Sequence, residues 1–340
     1  MVNENIKRVE LSHGGGGLET QEMIQALFYQ AFGNEILIKS EDAAVLTLEG
    51  PMAFTTDSFT VSPLFFQGGN IGHLAIAGTV NDLAMMGAQP LYLSCAFMIE
   101  EGMPWLELES IVLSMAQELK QCGAKIVCGD TKVVPKGAVD QLFINTSGIG
   151  KIMTDASNTP SAHKLQKGDA IIVSGDIGRH GAVVLAARES LNLQSDLESD
   201  CCVLWPAVQA LIEAGIQCHA LRDATRGGLA ALLNEWAESS QVSIEIEEAK
   251  IPLSDPVQGL CELLGFDALD FANEGTFAIS LPAEQVDRAL SILHQFEFAK
   301  NATEIGRVSD FEPGLVVLQT PWGSQRVLEL PKGELLPRIC

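Results

Sequence analysis

Five aspartates lie where apolar segments give way to turns, and this placement suits the binding of magnesium and phosphate. They are Asp42, Asp57, Asp82, Asp130 and Asp223. Mg²⁺ in proteins is commonly held by a few carboxylates together with the phosphate oxygens of a nucleotide. Each aspartate alone is also an ordinary turn former. Five of them beside glycines favour a metal–nucleotide site over that simpler interpretation.

Asp82 is the most informative of the five because it interrupts an otherwise apolar segment, residues 71–86, that is typical of a buried helix. A buried carboxylate costs several kcal/mol unless a cation or strong hydrogen-bond donors compensate its charge. A magnesium–phosphate group would supply that compensation. The alternative, in which Asp82 caps a helix or accepts from a neighbouring backbone amide, remains open from the sequence alone.

Two glycine-containing segments predict contacts to phosphate. The first follows Ser12 and His13 and consists of Gly14, Gly15, Gly16 and Gly17. Glycines let the backbone approach an anion closely with its amides free to donate, although a flexible linker has the same composition. The second is Arg226-Gly227-Gly228, which joins a fixed cation to the positive end of a predicted helix. Neither a P-loop nor a dinucleotide-binding glycine fingerprint is present in the sequence.

The chain ends on a thiol, Cys340, in the sequence Pro337-Arg338-Ile339-Cys340. The final apolar run breaks at Pro331, so an extended tail of this length could carry the sulfur roughly 30 Å from its anchor. A free thiol has a pKa of about 8.5, so only a small fraction is thiolate at neutral pH. From the sequence alone we expect only that Cys340 could reach a site on its own protein or on a partner. Chain ends are usually inert, so this expectation depends on the remainder of the sequence.

Composition excludes several classes of function. Lys and Arg number 21 against 44 Asp and Glu, and the resulting formal charge of −23 disfavours binding to nucleic acid. The 8 cysteines show no zinc-type spacing and suggest reduced thiols. The polar N-terminus resembles no secretion signal, and the sequence contains no apolar run of about eighteen residues that could span a membrane. These features predict a cytoplasmic protein without a membrane association.

The segments that must position these residues alternate between strand-like and helix-like patterns, which predicts a mixed α/β chain of two domains. We predict an N-terminal domain at residues 1–155, a polar linker at 156–168, a C-terminal domain at 169–330 and a mobile tail at 331–340. Predicted strands include residues 43–48, 52–56 and 91–99. Predicted helices include residues 18–32, 71–86, 105–122 and 227–238.

At this level of detail the chain resembles the HypE family of hydrogenase-maturation carbamoyl dehydratases, from the glycine loop to the final cysteine. The motifs that carry the resemblance are the loop at 12–17, Thr55-Thr56-Asp57-Ser58, Pro63-Leu64-Phe65-Phe66, Gly69-Asn70-Ile71-Gly72, Asn81-Asp82, the run Gly129-Asp130-Thr131-Lys132, the segment 222–228, Asn273-Glu274-Gly275 and the terminal Pro337-Arg338-Ile339-Cys340. Together these motifs are highly specific, whereas the ending alone is only suggestive. The family is similar to aminoimidazole ribonucleotide (AIR) synthetase and selenophosphate synthetase.

The resemblance implies a PurM-like, AIR-synthetase-like fold in which the N-terminal sheets pair across a homodimer and nucleotide binds beside the interface. It further implies ATP and Mg²⁺ as cofactors, with Asp42, Asp82 and Asp223 as metal ligands. It makes Cys340 the carrier of the substrate group, Glu274 the base and Lys132 the group that stabilises charge or assists proton transfer. The implied nucleotide contacts are Gly14, Gly15, Gly16, Gly17, Asp57, Asn81, Asp130, Thr131, Arg226 and Gly227.

The implied reaction is the ATP-dependent dehydration of a carbamoyl group on Cys340 to a thiocyanate, which becomes the cyanide ligand of a [NiFe]-hydrogenase. The implied partners are the carbamoyltransferase HypF as donor and the HypC–HypD complex as cyanide acceptor. Two other functions stay open. One is an ATP-dependent synthetase acting on a free small molecule. The other is a non-catalytic scaffold that carries a modified cysteine.

Overall fold

The structure, a computed structural model, describes residues 7–155, 158–189 and 196–331. The predicted mobile tail, with Arg338 and Cys340, lies outside the described residues apart from Pro331. Two sheets with helices on them make up the described chain, so the predicted mixed α/β class is confirmed. In the described ranges no helix is both long enough and apolar enough to cross a membrane.

The N-terminal domain is built on a four-stranded sheet in the order β1-β6-β4-β5. Its strands β4 and β5 run parallel, and the other pairs are antiparallel. A short hairpin, β2–β3, precedes the first long helix. The strands are β1 (Met52–Phe59), β2 (Phe65–Phe66), β3 (Gly69–Asn70), β4 (Ala88–Glu100), β5 (Lys125–Val134) and β6 (Leu142–Ile152).

Helices cover one face of this sheet. They are α1 (Leu18–Met23), which continues through a π-helical turn (Ile24–Phe28) into α2 (Tyr29–Phe32), then α3 (Ile71–Met85) and α4 (Trp105–Cys122). Asn70 caps α3 by accepting from the amides of Gly72 and His73. Nearly every side chain of α3 is buried, because the helix lies between the sheet, α4 and the C-terminal domain.

The opposite face of the sheet has no helix against it in the described chain. Along β6 the residues Leu142, Ile144 and Thr146 are buried, while Phe143 and Asn145 between them are half-buried. This two-residue alternation is typical of a sheet with one covered face. The uncovered face bears apolar side chains, including Phe54, which is 71% exposed, Met98, Tyr92, Phe143 and Ile149.

The C-terminal domain is built on a seven-stranded sheet in the order β13-β12-β9-β11-β7-β10-β8. Its strands are β7 (Asp169–Val173), β8 (Ala220–Asp223), β9 (Ser243–Glu247), β10 (Phe277–Pro282), β11 (Thr303–Ser309), β12 (Val316–Gln319) and β13 (Gln325–Val327). Its helices are α5 (Arg179–Arg188), α6 (Trp205–Glu213), α7 (Gly228–Ser240), α8 (Asp255–Leu264) and α9 (Val286–Leu293). The strand β7 is central and buried along its whole length, as a strand with both faces covered must be.

The sequence predicts the long elements well and the irregular ones poorly. The predicted helix over 105–122 coincides with α4. The predicted strand at 43–48 is wrong: these residues form no strand, and Val45 is 90% exposed. Their apolar residues line the mouth of a cavity, and no neighbouring strand pairs with them. The boundaries drawn at residues 155 and 168 stay predictions.

Candidate functional site

A cavity of 560 Å³ lies between the two domains and collects five of the predicted site residues. The N-terminal domain contributes residues of β1 and α3, and the C-terminal domain contributes the end of β8 and the turn that follows it. Polar side chains in its lining are Thr55, Asp57, Ser58, Asp82, Ser161, His163, Arg222, Asp223, Thr225, Arg226 and Glu274. We call this space the interdomain cavity.

The period of β1 places Thr55 and Asp57 on the same side of the strand, facing α3. There the hydroxyl of Thr55 donates to the Asp82 carboxylate at 2.6 Å. One donor compensates only part of a half-buried charge. Asp82 therefore accepts from a side-chain hydroxyl, where the simpler interpretation expected a helix cap or a neighbouring backbone amide, and its carboxylate still lines the cavity.

Asp57 and Asp82 repel each other across the base of the cavity. Burial raises the pKa of Asp57 to about 6, and the neighbouring Asp82 charge adds to that rise. The nearby positive charge of Arg226 opposes it. A cation bound between the two side chains would offset the repulsion that helps to raise the pKa of Asp57.

Asp223 enters the cavity from the other domain at the C-terminal end of β8, where its backbone pairs with Phe277 of β10. It is 7% exposed. Burial raises the pKa of Asp223 to about 7, with Asp82 contributing in the same direction.

Arg226 follows in the turn that leads into α7. Gly227 and Gly228 both have positive φ there, and a Cβ at Gly228 would collide with the carbonyls of Leu269 and Phe271. Only glycine fits this turn, which explains the Gly-Gly pair and fixes the site of Arg226.

Glu274 completes the interdomain cavity as its most buried acid, at 3% exposed. Burial raises its pKa well above the usual range, and the charges of Asp223, Asp200 and Asp57 raise it further. The Arg226 charge lowers it. A carboxylate with a raised pKa binds a proton more tightly than a solvated one, which is a property that a general base needs.

The carboxylate oxygens of the interdomain cavity are chemically suited to a magnesium–phosphate group. They do not surround a metal ion by themselves in the described chain. Asp57, Asp82 and Asp223 offer carboxylate oxygens, and burial together with neighbouring negative charge raises the pKa of Asp57 and of Asp223, which a bound cation would oppose. Within the described ranges, no three acidic, histidine or cysteine side chains converge closely enough to enclose a metal by themselves. Mg²⁺ commonly takes one or two carboxylates and completes its shell with water and phosphate oxygens. Such a site therefore needs the nucleotide as well.

A second cavity, of 690 Å³, lies at the other edge of the N-terminal sheet. We call it the glycine-loop cavity. Its polar lining includes Gly14, Gly16, Asp42, Asp130, Thr131 and Lys132, and its apolar wall includes Phe28, Phe32, Ile36 and Phe97. The Lys132 ammonium donates to the Asp130 carboxylate at 2.8 Å, and this bond lowers the pKa of Asp130. Both side chains are more than half exposed.

The structure thus divides the predicted residues between two places. It brings Asp57, Asp82, Asp223, Arg226 and Glu274 together in the interdomain cavity. It gathers Gly14, Gly16, Asp42, Asp130, Thr131 and Lys132 in the glycine-loop cavity, whereas Gly15 and Gly17 are not part of that lining. Within one chain, the three predicted metal ligands do not share a cavity, because Asp42 lies apart from the other two.

Asn81 and Gly227 take positions that the sequence did not indicate. Asn81 is fully buried; its amide donates to the carbonyls of Cys202 and Glu274, and its carbonyl accepts from the Leu204 amide at 2.8 Å. Its contact to a nucleotide stays a prediction, because these protein groups already occupy its polar atoms. Gly227 shapes the turn before α7, as described above.

Sequence reasoning missed two residues of the interdomain cavity and its surroundings. Thr55 bonds Asp82, and the alternation along β1 could have indicated it, since Thr55 and Asp57 share a face. Asp200 accepts from the Glu274 and Gly275 amides. No local pattern signals that contact, because the residues are far apart in the chain.

Comparison with known proteins gives the family. Residues 40–152 match the family of AIR synthase related protein, N-terminal domain, and residues 166–317 match its C-terminal domain. Carbamoyl dehydratase HypE of Escherichia coli (strain K12) is 47% identical, over 98% of this chain and 100% of that protein. The corresponding protein of Rhodobacter capsulatus is 43% identical, over 98% of both chains. The chain belongs to the HypE family.

Solved structures of HypE proteins agree with this assignment. A crystal structure of the hydrogenase maturation protein HypE in complex with ATP has a TM-score of 0.94 and 44% identity, covering 97% of this chain and 99% of that one. HypE in a crystal structure of a HypE–HypF complex has a TM-score of 0.79 and 45% identity, covering 91% and 99%. The predicted two-domain AIR-synthetase-like fold is therefore confirmed. Thiamine monophosphate kinase from Aquifex aeolicus, at 18% identity and a TM-score of 0.62, shares the fold alone.

Proposed function

We propose that this chain, as a carbamoyl dehydratase of the HypE family, uses ATP and Mg²⁺ to convert a carbamoyl group on Cys340 into a thiocyanate for hydrogenase maturation. The observation that carries the proposal is the buried acid Glu274 beside the carboxylates Asp57, Asp82 and Asp223 in one interdomain cavity. A base of raised pKa beside groups suited to a metal–phosphate complex is what an ATP-driven dehydration requires.

The chemistry is balanced without an oxidant or reductant. The carbamoyl oxygen of –S–C(=O)–NH₂ attacks the γ-phosphorus of ATP, and the bond to ADP breaks. The nitrogen then gives up its two protons in steps, and its electrons form the C≡N bond as the C–O bond breaks. The products are the thiocyanate –S–C≡N, ADP, inorganic phosphate and one net proton. Phosphorylation is needed because an unmodified amide oxygen is a very poor leaving group.

Four residues of the interdomain cavity have a role in this scheme. Glu274 accepts a proton from the nitrogen, which its buried position and raised pKa favour. Arg226 lies at the start of α7, where its charge and the helix N-terminus both attract phosphate. Asp82 and Asp223 would hold the magnesium, whose contribution when bound is to neutralise charge on the transferring phosphoryl group.

The tail anchor lies within reach of this cavity in the same subunit. The Asn234 side chain of α7 donates to the Leu328 carbonyl at 3.0 Å. Asn234 lies six residues after Gly228, which is roughly 9 Å along a helix. The nine residues beyond Pro331 could span about 30 Å when extended. The length of the tail is therefore compatible with delivery of Cys340 to Glu274.

The remaining predicted residues are explained if two copies of the chain form a homodimer through the uncovered face of the N-terminal sheet. That face bears Phe54, Met98, Tyr92, Phe143 and Ile149, and burying it against a second copy would remove them from water. Strands β1 and β5 form opposite edges of the sheet and lie roughly 14 Å apart. Two stacked sheets lie about 10 Å apart, so an edge strand of a stacked second copy would be nearer to β1 than β5 of the same chain is.

A two-fold axis parallel to the strands would place β1 of one copy opposite β5 of the other. The glycine-loop cavity of one protomer would then face the interdomain cavity of its partner. Asp42 and Lys132 would come from one chain, and Asp82, Asp223 and Glu274 from the other. This arrangement reunites the predicted metal ligands, and we propose that the ATP site is composite in this sense.

The partners proposed from the family are HypF as carbamoyl donor and the HypC–HypD complex as acceptor of the cyano group. The solved HypE–HypF complex of a relative supports the first of these. HypF would also supply the environment that activates Cys340, whose terminal thiol is weakly ionised at neutral pH.

The experiment that tests the function follows Cys340 by intact mass after carbamoylated protein is mixed with Mg-ATP. The proposal expects the loss of one water and the release of one phosphate per cyanated thiol, with no reaction in Cys340→Ala. An unchanged mass without phosphate release would support a scaffold that only carries the modified cysteine. ATP turnover that needs a free small molecule and leaves Cys340 unchanged would support a synthetase.

A further inference from the structure

Glu274 is held by side chains and backbone from two segments that are distant in sequence. Its amide donates to Asp200 Oδ1 at 3.3 Å, and the amide of Gly275 donates to Asp200 Oδ2 at 2.9 Å. Its carbonyl accepts from the side-chain amide of Asn81 at 3.3 Å and from the backbone amide of Cys202 at 3.5 Å. Both polar backbone groups of Glu274 are therefore bonded by protein groups outside its own segment.

One carboxylate that accepts from two successive amides fixes the peptide plane between them. Rotation of the Glu274–Gly275 peptide would break at least one of the two bonds to Asp200, and bonds to an ionised acceptor are among the stronger ones. Since a side chain follows the orientation of its backbone, this plane directs the Glu274 carboxylate.

Close packing adds a second constraint on the same segment. The carbonyl of Asp200 lies so close to Gly275 that a Cβ there would collide with it, and the thiol of Cys202 would also be contacted. The two backbones can approach this closely only because residue 275 is glycine. Asp200 thus bonds the segment with its side chain and confines it with its main chain.

The far side of Glu274 is anchored as well. Asn273 is fully buried; its amide donates to the carbonyls of Ala224 and Phe271, and its carbonyl accepts from the Gly178 amide at 2.6 Å. Residues on both sides of Glu274 are therefore immobilised by contacts that do not involve its carboxylate. The Glu274 side chain needs no bond of its own to be directed into the cavity.

From these contacts we infer that Asp200 is a positioning residue for the dehydration, and that it holds the Glu274 peptide so that the carboxylate meets the carbamoyl nitrogen. This inference rests on the proposed role of Glu274 as base. A misplacement of about 1 Å in a catalytic group costs on the order of 10²-fold in rate. The effect belongs to the dehydration step, because the contacts of Asp200 described here are to the Glu274 segment and not to the predicted phosphate-binding residues.

The test compares Asp200→Ala, Asp200→Asn and Asp196→Ala in the full-length carbamoylated protein. Single-turnover dehydration should be slower by roughly 10- to 100-fold in Asp200→Ala, with the KM for ATP within about twofold of the wild type. Asp200→Asn keeps one carbonyl oxygen and should recover part of the loss. Asp196, an exposed acid earlier in the same segment, is the matched control and should have no effect.

A double variant separates positioning from general stability. Because Asp200 acts through Glu274, adding Asp200→Ala to Glu274→Gln should slow dehydration by less than about twofold more. A purely structural role would instead give independent losses that multiply, with a matching fall in Tm. If Asp200→Ala does not fold, Asp200→Asn and the double variant built on it decide the question.

Different results would refute the proposed base, Glu274, and the inferred positioning role of Asp200. Normal dehydration by Glu274→Gln would refute the proposed base, whatever Asp200 variants do. If Glu274→Gln stalls while Asp200→Ala dehydrates at the wild-type rate, the inference about Asp200 alone is wrong. Equal losses in rate and in affinity for ATP in Asp200→Asn would also overturn it.

Discussion

The two edges of the N-terminal sheet have opposite electrostatic character. At the β1 edge, Asp57 and Asp82 repel each other in a partly buried space, and the pKa of Asp57 rises to about 6. At the β5 edge, Asp130 is exposed, and its bond to Lys132 lowers its pKa. At the first edge the Arg226 charge offsets the acids only in part, whereas the second edge offers an ammonium and a glycine loop.

The difference explains why neither cavity alone resembles a finished nucleotide site. The interdomain cavity has the proposed base and carboxylates that a metal would neutralise, and the glycine-loop cavity has Asp42, Lys132 and an apolar wall. The proposed metal–phosphate chemistry needs both sets. The proposed homodimer, packed through the uncovered sheet faces, would supply both without any change in the fold of one chain.

The largest expected effect falls on the interdomain cavity. Glu274→Gln should still accept the carbamoyl group but should dehydrate it roughly 10²- to 10⁴-fold more slowly, because an amide cannot take the nitrogen proton. Single-turnover kinetics followed by intact mass measure this. The matched control is Glu118→Gln, which changes a buried carboxyl whose pKa burial also raises, to about 7, outside both cavities. A normal rate in Glu274→Gln would remove Glu274 from the mechanism.

A variant of Lys132 should reveal how much the glycine-loop cavity contributes to the rate of dehydration. Replacing it with alanine removes a charge proposed to stabilise the transferring phosphoryl group, so dehydration should fall by about 10²-fold. Lys125 is a matched control on the same strand, since it pairs with Glu35 at 2.7 Å and lies outside both cavities. Equal effects of Lys132→Ala and Lys125→Ala would make the loss nonspecific.

The next largest effect should be on the pH dependence of stability, which should differ between the β1 and β5 edges of the N-terminal sheet. The pKa of Asp223 is about 7 in the folded chain and near 3.8 in the unfolded one, so the folded state binds more protons in between. Stability contributed by this group is therefore greatest at low pH and falls as pH rises from about 4 to 7. Asp223→Asn should flatten this slope in thermal unfolding scans, and Mg-ATP should flatten it in the wild type. An unchanged slope in Asp223→Asn would contradict the assigned burial.

The smallest effect should come from the exposed pair at β5. Asp130 and Lys132 are each about 60% exposed, so solvent screens their attraction. Asp130→Asn should change the free energy of unfolding by less than about 1 kcal/mol in urea titrations. A loss well above that value would mean that the pair is structural and not available to a phosphate.

The sequence predicts the residues of the site better than their grouping. Asp82 in an apolar segment and Arg226 before a Gly-Gly pair carry their own physical signals, and both line the interdomain cavity. The contacts of Asp200 with Glu274 carry none, because they join residues 74 positions apart through backbone amides. The separation of Asp42 from Asp82 likewise depends on strand order, which places β1 and β5 at opposite edges.

The fold shows the same distinction between features with a local sequence signal and features that depend on long-range contacts. The amphipathic pattern of α4 and its end at Gly123 are local, and the predicted helix matches them. Residues 43–48 are apolar enough to predict a strand, but a strand needs a partner edge, and pairing is a long-range property. Strand β8 was missed because its four residues are too few to show a period. Helix α8 was missed although Val257, Leu260 and Cys261 follow the spacing of one helix face.

The composite site is the central claim, and activity in isolated mixed dimers tests it most directly. Dimers with one Asp42→Asn chain and one Asp223→Asn chain should retain about half of the wild-type dehydration, since one complete site survives. Mixed dimers of Asp82→Asn with Asp223→Asn, both in the interdomain cavity, should be inactive. If the Asp42→Asn and Asp223→Asn mixture is as inactive as either variant alone, each site lies within one chain and the account is wrong.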